Sequence, residues 1–311
     1  MATYVKDGSG WQELASLDRP YANVSGTWQP VKNVYANVSG TWQETFAYFE
    51  TSGGTSYDAG SGYTGVYFTA NGTFTILEGT RNIEFAVVGG GGGGGGTGRS
   101  TARNNLGYGG GGGAGGFVQS TSTNLTVGSY SITVGGGGAG GVPASTSLMS
   151  GIATGGNGSA GTSSTVVFSG STLVSSAGGD GGNGGRGSSS TFTTNLGGTG
   201  GAMVQGTVIS GGSGFSSSGS LSNQVNRGGG GGGVGGTGGN ATSTITGAAG
   251  VGYTAPGGGW SNLPGVSFGG AGGNDTATYQ YPYNGTGGNG SVGYASGSTG
   301  LAGYVYLRWL T

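Results

Sequence analysis

The chain has 311 residues, of which 86 are glycine, and it carries 6% charged residues, a net charge of −1, no cysteine and no histidine. These absences exclude disulfides, a thiolate nucleophile, a cysteine zinc site and a Ser-His-Asp triad. The near-neutral charge also argues against a nucleic-acid partner, because phosphate binding needs clustered lysine and arginine.

The first residues, MATYVKDGSGWQEL, lack the apolar segment of a secretory signal. No apolar stretch approaches the roughly 18 residues that a membrane span requires. We therefore expect a protein that is made in the cytoplasm and does not insert into a membrane.

A repeat fills the N-terminal segment, residues 1–50. The sequence YANVSGTWQ occupies residues 21–29 and again residues 35–43, and a degraded copy, YVKDGSGWQ, begins at Tyr4. Each copy predicts a β-hairpin with a two-residue turn, because alternating residues flank Ser-Gly. With the turn at residues 39–40, Asn37 faces Trp42 across the hairpin, and Tyr35 lies diagonally to Trp42 on the same face.

Isolated hairpins of this length are marginal in water, so these copies need a surface to pack against. Two interpretations remain open. The hairpins form a small β-domain of their own, or they are a docking segment that orders on a partner or on copies of the same chain. In the second case we expect the attachment residues to be Tyr21, Trp28, Tyr35 and Trp42.

Residues 51–62 are rich in glycine, serine and threonine and predict a linker, after which residues 63–311 form a glycine-rich domain. Strands are predicted at residues 65–70, 73–78 and 82–88. Further strands are predicted at residues 129–134 and 164–168, and a last one at 303–310. Little or no α-helix is expected.

Glycine runs alternate with these strands. Residues 89–96 are eight consecutive glycines, and the further runs lie at residues 109–116, 135–141, 178–187, 228–239, 257–259 and 269–273. In GGDGGNGGRG only every third residue has a side chain, namely Asp180, Asn183 and Arg186. A polyglycine-II helix has three residues per turn, so these side chains should share one face and leave two faces bare.

Bare faces allow neighbouring helices to approach until their backbones bond to each other, which is necessary because this helix makes no internal hydrogen bonds. Ordering glycine costs about 0.5–1 kcal/mol per residue beyond alanine. A single glycine helix would not offset that cost, whereas a packed bundle would. Collagen is excluded by the 6 prolines and the inverted pattern. Disorder is the competing interpretation of the composition, and the period and the bracketing strands argue against it.

The order TFTILEGTRNIEFAVVGGGGGGGG, GGGGGAGGFVQ, LTVGSYSITVGGGGAGG and GYVYLRWL resembles the glycine-rich domain of tailed-bacteriophage tail fibres and adhesins, over about residues 65–311. The repeat VKNVYANVSGTWQ also resembles short repeats near the start of phage structural proteins. The resemblance implies a mostly β fold with a sandwich of polyglycine-II helices, and loops that touch a host receptor. Several loops here are longer and richer in serine and threonine than that pattern.

The resemblance further implies a virion protein, made in the host cytoplasm, that is part of a tail fibre or adhesin. Its partners would be other virion proteins and a glycan or protein receptor on the host surface, and it would be a homotrimer, as such fibres commonly are. Two alternatives remain: a decoration or head-fibre protein without receptor specificity, and an ice-binding protein. Regularly spaced threonine on one face would favour ice binding, but threonine is scattered here.

No enzyme, cofactor or metal is expected. Calcium-binding nonapeptide repeats need an aspartate in each copy, and beyond residue 85 the acids are Asp180 and Asp275. A glycosidase needs two carboxylates about 5–9.5 Å apart. Glu78 and Glu84 flank a predicted turn and are better interpreted as solvated charges at strand ends.

The late loops are rich in aromatic residues, which suit contact with sugars and protein surfaces. In NDTATYQYPYNG three tyrosines alternate and would share one side of an extended segment. These rings either bind the receptor or cover the ends of the glycine bundle. The candidate receptor-binding residues are Tyr253, Trp260, Tyr279, Tyr281, Tyr283 and Tyr294.

Overall fold

The computed structural model describes residues 4–7, 10–13, 21–30, 34–38, 41–46, 49–60, 62–77, 80–100, 105–145, 152–186 and 296–310. Within these residues the fold is all β with polyglycine-II helices and contains no α-helix. This confirms the predicted fold class: short hairpins come first, and strands bracket the glycine runs.

The N-terminal repeats form three separate two-stranded antiparallel sheets. Their strands are β1 (Tyr4–Asp7) with β2 (Gly10–Glu13), β3 (Tyr21–Val24) with β4 (Thr27–Pro30), and β5 (Val34–Val38) with β6 (Thr41–Phe46). The turn of the second hairpin has positive φ at Ser25 (54°) and Gly26 (84°), as a two-residue type I′ turn requires. The strand pairing confirms all three predicted hairpins, although in the first the two connecting residues are Gly-Ser and not the predicted Ser-Gly.

The rest of the described chain contains eleven strands, β7 to β17. They are β7 (Phe49–Gly60), β8 (Tyr63–Ile76), β9 (Arg81–Val88), β10 (Gly98–Ser100), β11 (Asn105–Gly107), β12 (Phe117–Leu125), β13 (Gly128–Thr133), β14 (Ile152–Ala153), β15 (Ser164–Phe168), β16 (Ser171–Ser176) and β17 (Tyr304–Leu310).

Eight of these strands form one antiparallel sheet in the order β12-β9-β17-β8-β13-β15-β16, with β7 also paired to β8. The sheet folds over on itself at the middle of β8. The first part of β8 pairs with β17, and the second part, from Gly72 onward, pairs with β13. A Cβ at Gly72 would overlap the carbonyl oxygen of Ser52, so the bend needs glycine.

Fifteen buried residues fill the space between the two halves of the folded sheet. From the first half come Val66, Phe68, Ile83, Phe85, Val87, Leu125, Val305, Leu307 and Trp309, and from the second half come Phe74, Ile76, Tyr130, Ile132, Val166 and Val174. Phe49, the first residue of β7, stacks on Phe74 with ring centroids 5.3 Å apart. This is the apolar core of the domain.

The predicted linker at residues 51–62 is wrong for most of its length, because residues 49–60 form strand β7. Its glycine and serine content suggested a flexible segment, but pairing along the whole of β8 overrides weak local propensity. Two glycines are required by the packing. Gly53 has φ of +79°, and a Cβ at Gly54 would lie 2.6 Å from Val66 Cγ1. Strands predicted separately at 65–70 and 73–78 are likewise one bent strand, β8.

Six glycine-rich segments leave or enter the edge of this sheet as extended helices, which we call rods. They are rod 1 (89–97), rod 2 (109–116), rod 3 (135–145), rod 4 (155–163), rod 5 (177–186) and rod 6 (296–303). Rods 1, 3 and 5 follow β9, β13 and β16 outward, and rods 2, 4 and 6 return to β12, β15 and β17. The sheet therefore fixes where each rod begins or ends.

Rod 1 lies at the centre of the bundle and all of its glycines are buried. Its N–H groups bond to three neighbours in strict rotation: residues 89, 92 and 95 to rod 2, residues 90, 93 and 96 to rod 4, and residues 91 and 94 to rod 6, at 2.8–3.0 Å. Its carbonyls accept from rods 3 and 5. This rotation is the three-residue period of polyglycine II.

The outer rods also bond to one another. Rod 2 donates to rod 5, rod 4 donates to rods 3 and 5, and rod 6 donates to rod 3. The neighbours of rod 1 therefore follow one another in the order 2-5-4-3-6, with antiparallel and parallel rods alternating. The predicted bundle of backbone-bonded glycine rods is confirmed in the described part of the chain.

A buried serine joins the sheet to the bundle. Ser164, which is fully buried, donates to the carbonyl of Val88 at 2.6 Å and accepts from the N–H of Gly135 at 2.9 Å. These two residues are the last of β9 and the first of rod 3. One hydroxyl thus fixes the positions at which two neighbouring rods start.

Replacing Gly93 with alanine should unfold or strongly destabilise the domain. Its added Cβ would overlap the carbonyl group of Ala139, a backbone group of a packed rod that has no room to move. We expect a loss of about 3 kcal/mol or more in the free energy of unfolding, measured by urea denaturation.

Gly136→Ala is the matched control, because Gly136 is exposed and its added Cβ would find only Thr162 Oγ1, at 3.8 Å. Here the reduced entropy of the unfolded chain should stabilise the protein by about 0.4–1 kcal/mol. Equal stability of the two variants would contradict the backbone-packed bundle.

Candidate binding surfaces

The three hairpins place the same residue types at the same positions. Asn23 pairs with Trp28 and Asn37 pairs with Trp42, which confirms the predicted register. In the first hairpin Lys6 pairs with Trp11. In each hairpin a tryptophan therefore pairs with a polar residue, one position away from the pair that closes the turn.

The predicted attachment residues share one face of their hairpins. Tyr21 lies two residues before Asn23 in β3, and Tyr35 lies two residues before Asn37 in β5, so each tyrosine is on the side of its tryptophan. Trp28 and Trp42 therefore belong to repeated aromatic faces. Because each hairpin is a two-stranded sheet by itself, such a face is a natural surface for packing against another element.

A second aromatic surface, which the sequence analysis did not identify, lies on the outer side of the eight-stranded sheet. We call it the tyrosine face, and its rings are Tyr57 of β7, Tyr67 of β8, and Tyr304 and Tyr306 of β17. Ring centroids of neighbouring pairs are 5.4–6.4 Å apart. All but the buried Tyr306 are partly exposed.

The alternation in YVYLRWL was the signal that could have revealed this face. Val305, Leu307 and Trp309 point into the core, so Tyr304, Tyr306 and Arg308 point to the other side of the sheet. This second side of β17 is partly covered, since Tyr306 is buried and Tyr304 is half-buried. Gly65 belongs to the same arrangement, because the ring of Tyr57 lies over it, 2.5 Å from the position of an added Cβ.

An ion pair borders the tyrosine face. Arg308 donates to Glu84 Oε2 from Nη2 at 2.6 Å and from Nε at 2.8 Å, and its side chain is 4% exposed. The guanidinium also lies over the ring of Tyr63, 4.6 Å from the centroid. Glu84, which we expected to be a solvated strand-end charge, instead neutralises a buried arginine.

Burial changes the acidity of two tyrosines in this face. It raises the pKa of Tyr57 well above its usual value, and Arg308 partly opposes that rise. Burial also raises the pKa of Tyr306, and the neighbouring Tyr304, Tyr57 and Tyr67 raise it further. Both hydroxyls therefore stay protonated in the folded protein to a higher pH than in the unfolded chain.

A third region is the end of the rod bundle remote from the eight-stranded sheet. The described connection from rod 1 to rod 2 forms β10 and β11, and β14 on the way from rod 3 to rod 4 pairs with β10. An isolated bridge joins Thr154 to Arg186. The outgoing and returning rods are thus joined at this remote end.

The six candidate receptor-binding residues lie outside the described residues. Tyr253, Trp260, Tyr279, Tyr281, Tyr283 and Tyr294 all fall between Arg186, the last residue of rod 5, and Ser296, the first residue of rod 6. These two flanking residues are both at the remote end of the bundle. The segment that carries the candidate residues is therefore tethered there by covalent connectivity.

The described residues hold no group of three or more histidine, cysteine, aspartate or glutamate side chains that could bind a metal ion. Nor do they include a helix with the length and hydrophobicity of a membrane span. The chemistry that they do present is aromatic rings, backbone amides and small polar side chains.

Comparison with known families identifies the domain. A family model described as a glycine-rich domain matches residues 68–310, which is most of the chain. No curated protein matches the sequence. The matched residues begin within β8 and end with the last residue of β17, so they include all six rods and most of the folded sheet.

Raising the pH above about 10 should destabilise the domain. The raised pKa values of Tyr57 and Tyr306 keep both hydroxyls protonated in the folded state, while the same groups ionise at a pH of about 10 in the unfolded chain. Their contribution to stability is therefore complete below that pH and is lost as the pH rises further. Urea denaturation midpoints at about pH 8 and about pH 11 measure this loss.

The control is the double variant Tyr57→Phe, Tyr306→Phe, which keeps the rings and removes both titrating groups. Its midpoint should fall less between the two pH values than that of the wild type. An equal fall in both proteins would assign the alkaline loss to other groups.

Proposed function

We propose that this chain, which belongs to the glycine-rich domain family, is a bacteriophage virion protein of the tail-fibre or adhesin type. In this proposal the N-terminal hairpins attach it to the particle, and the glycine-rich domain carries a surface that binds the host cell. The proposal assigns it no catalytic activity and no cofactor.

The polarity of the fold is the observation that carries the proposal. Phe49, where the chain enters the sheet, pairs with Ile76, and Gly128 pairs with the same residue. Gly128 is the start of β13, and rod 3 begins after the other end of that strand. The hairpins therefore join the domain on the side away from the rods, while the connections between rods lie at the opposite end.

This arrangement supports separate roles for the two ends. A rigid bundle between an attachment segment and a set of connecting segments holds a binding surface away from its anchor. Binding residues are commonly placed on loops that a rigid scaffold positions. Tyrosine and tryptophan in such loops supply large contact areas at low entropic cost, for either a glycan or a protein receptor.

The three hairpins support attachment to a partner or to copies of the same chain. Each is a separate two-stranded sheet with a repeated tyrosine and tryptophan face. Three copies of the chain would bring nine such faces together and allow them to cover one another. We therefore propose a homotrimer that docks to other virion proteins through Tyr21, Trp28, Tyr35 and Trp42.

The described rods do not favour the ice-binding alternative. Their outward positions mix several residue types: Ala139, Val142 and Ser145 on rod 3, Asp180 and Arg186 on rod 5, and Ser296, Thr299 and Ala302 on rod 6. A regular array of threonine, which that function would need, is not found on these rods. A decoration or head-fibre role without receptor specificity remains as an outcome of the adsorption experiment below.

Replacing Tyr279, Tyr281 and Tyr283 with serine should reduce adsorption of particles to host cells by an order of magnitude or more. Loss of three contact rings removes most of the apolar contact area of that segment, and each hot-spot ring contributes about 2 kcal/mol or more. Particles that carry the variant are compared with wild-type particles in a host adsorption assay.

The matched control replaces Thr276 and Thr278 of the same segment with alanine and should leave adsorption unchanged. Thermal melting of each purified protein shows whether the domain is still folded. Normal adsorption by a folded triple-serine variant would refute these residues as a receptor contact and favour a decoration role.

Replacing Trp28 and Trp42 with serine should prevent incorporation into particles while leaving the glycine-rich domain folded. The tryptophans supply the largest apolar area of each repeated face, and the domain has its own core. Immunoblotting of purified particles measures incorporation. Gln29→Ser with Gln43→Ser, on the opposite face of the hairpins, is the control, and equal incorporation of both variants would contradict attachment through the tryptophan faces.

A further inference from the structure

The outer rods of the bundle have edges that resemble the edge strands of a sheet. An edge strand presents unpaired N–H and C=O groups that could pair with another chain, and proteins block such edges with proline, charge or bulky side chains. An outer glycine rod faces the same hazard, because another glycine rod fits its bare backbone as closely as its own neighbours do.

Rod 3 contains a row of backbone groups that the bundle does not use. Its residues 135, 138 and 141 bond to rod 6 through their carbonyls, and residues 136, 139 and 142 bond to rod 4 in the same way. The third row is 137, 140 and 143. Gly137 and Gly140 are partly exposed, and no described group bonds to the N–H or C=O of either.

Three residues in or beside this row block the approach of a second rod. Pro143, the third member of the row, has no N–H to donate. Val142 is 66% exposed although it is apolar, and Ala139 is exposed one turn before it. The carbonyls of both residues are bonded to rod 4, so their side chains project from a fixed backbone. A second rod would meet these side chains before its backbone reached Gly137 or Gly140.

The other rods follow the same rule. Rod 1 lies among the other described rods. Its residues 89–96 are all glycine, so no side chain there holds a neighbouring rod away. Rod 5, at the surface, carries a charge of each sign on its outer row, at Asp180 and Arg186, and both are exposed. Residues 89–96 of the central rod are thus all glycine, while side chains stand on the exposed rows of rods 3 and 5.

We infer that Ala139, Val142 and Pro143 keep the outer edge of rod 3 closed to a glycine rod of a second copy of this chain. If all three were glycine, residue 143 would add a third N–H donor to the row at Gly137 and Gly140, and no side chain would block a second rod. The row could then form the same backbone hydrogen bonds that join the rods within the bundle. The inference is independent of the proposed trimer, which depends on the hairpins.

The experiment compares the wild type with the variant Ala139→Gly, Val142→Gly, Pro143→Gly by sedimentation velocity over a range of concentrations. The variant should form particles that contain more copies than the wild-type assembly, in proportions that rise with concentration, while keeping a cooperative melting transition. Val127→Gly removes a valine that is 52% exposed but lies outside the rods, and it should sediment like the wild type.

A further variant tests whether the copies associate through the outer edge of rod 3. Gly136 is exposed in the same rod and has room for a side chain, so adding Gly136→Lys to the triple variant should restore the wild-type size. A folded triple variant of wild-type size would overturn the inference, and so would association that the lysine does not reverse. If the triple variant does not fold, Val142→Gly and Pro143→Ala are tested singly, and the same two outcomes decide.

Discussion

The fold depends on the absence of Cβ atoms from the central rod. Every glycine of rod 1 is buried, and its amides bond to three different neighbours in rotation. At residues 89, 90, 92, 93, 95 and 96, an added Cβ would overlap the backbone of another rod. Rods at hydrogen-bonding distance leave no volume for side chains, so the interior of the bundle consists of backbone alone. Hydrogen bonds and close backbone contacts there replace the apolar packing of an ordinary core.

The folded sheet makes such a bundle possible. A single glycine rod loses much entropy on ordering and has no internal hydrogen bonds to offset that loss. Here each of the six rods directly follows or precedes a strand of the sheet, and the strands are held by a core of large apolar side chains. The strands therefore fix one end and the direction of each rod. Ser164 links the sheet to the bundle directly, because its hydroxyl bonds to the end of β9 and to the start of rod 3.

The features that could be predicted from the sequence are those set by residue patterns that repeat every two or three positions. The hairpin register at Asn37 and Trp42, the strand at residues 164–168 and the three-residue rows of the rods all follow from patterns within a few residues. Strand β7 was missed because its glycines and serines are stabilised by β8, not by their own propensity. The tyrosine face was missed for a related reason. It assembles rings from β7, β8 and β17, which are distant in sequence, and no local pattern shows which strands become neighbours.

The division between backbone and side chains also explains how one scaffold supports different surfaces. Inside the bundle most positions are glycine, and small side chains are buried only at single positions such as Ala114 of rod 2 and Thr97 at the end of rod 1. In the described part of the chain the larger side chains lie on the outer rows of the surface rods and on the two sides of the sheet. Changes in those places leave the bonds between rods intact, since those bonds use only backbone atoms. A fold of this kind separates the residues that hold the rods together from the residues that are free to vary at the surface.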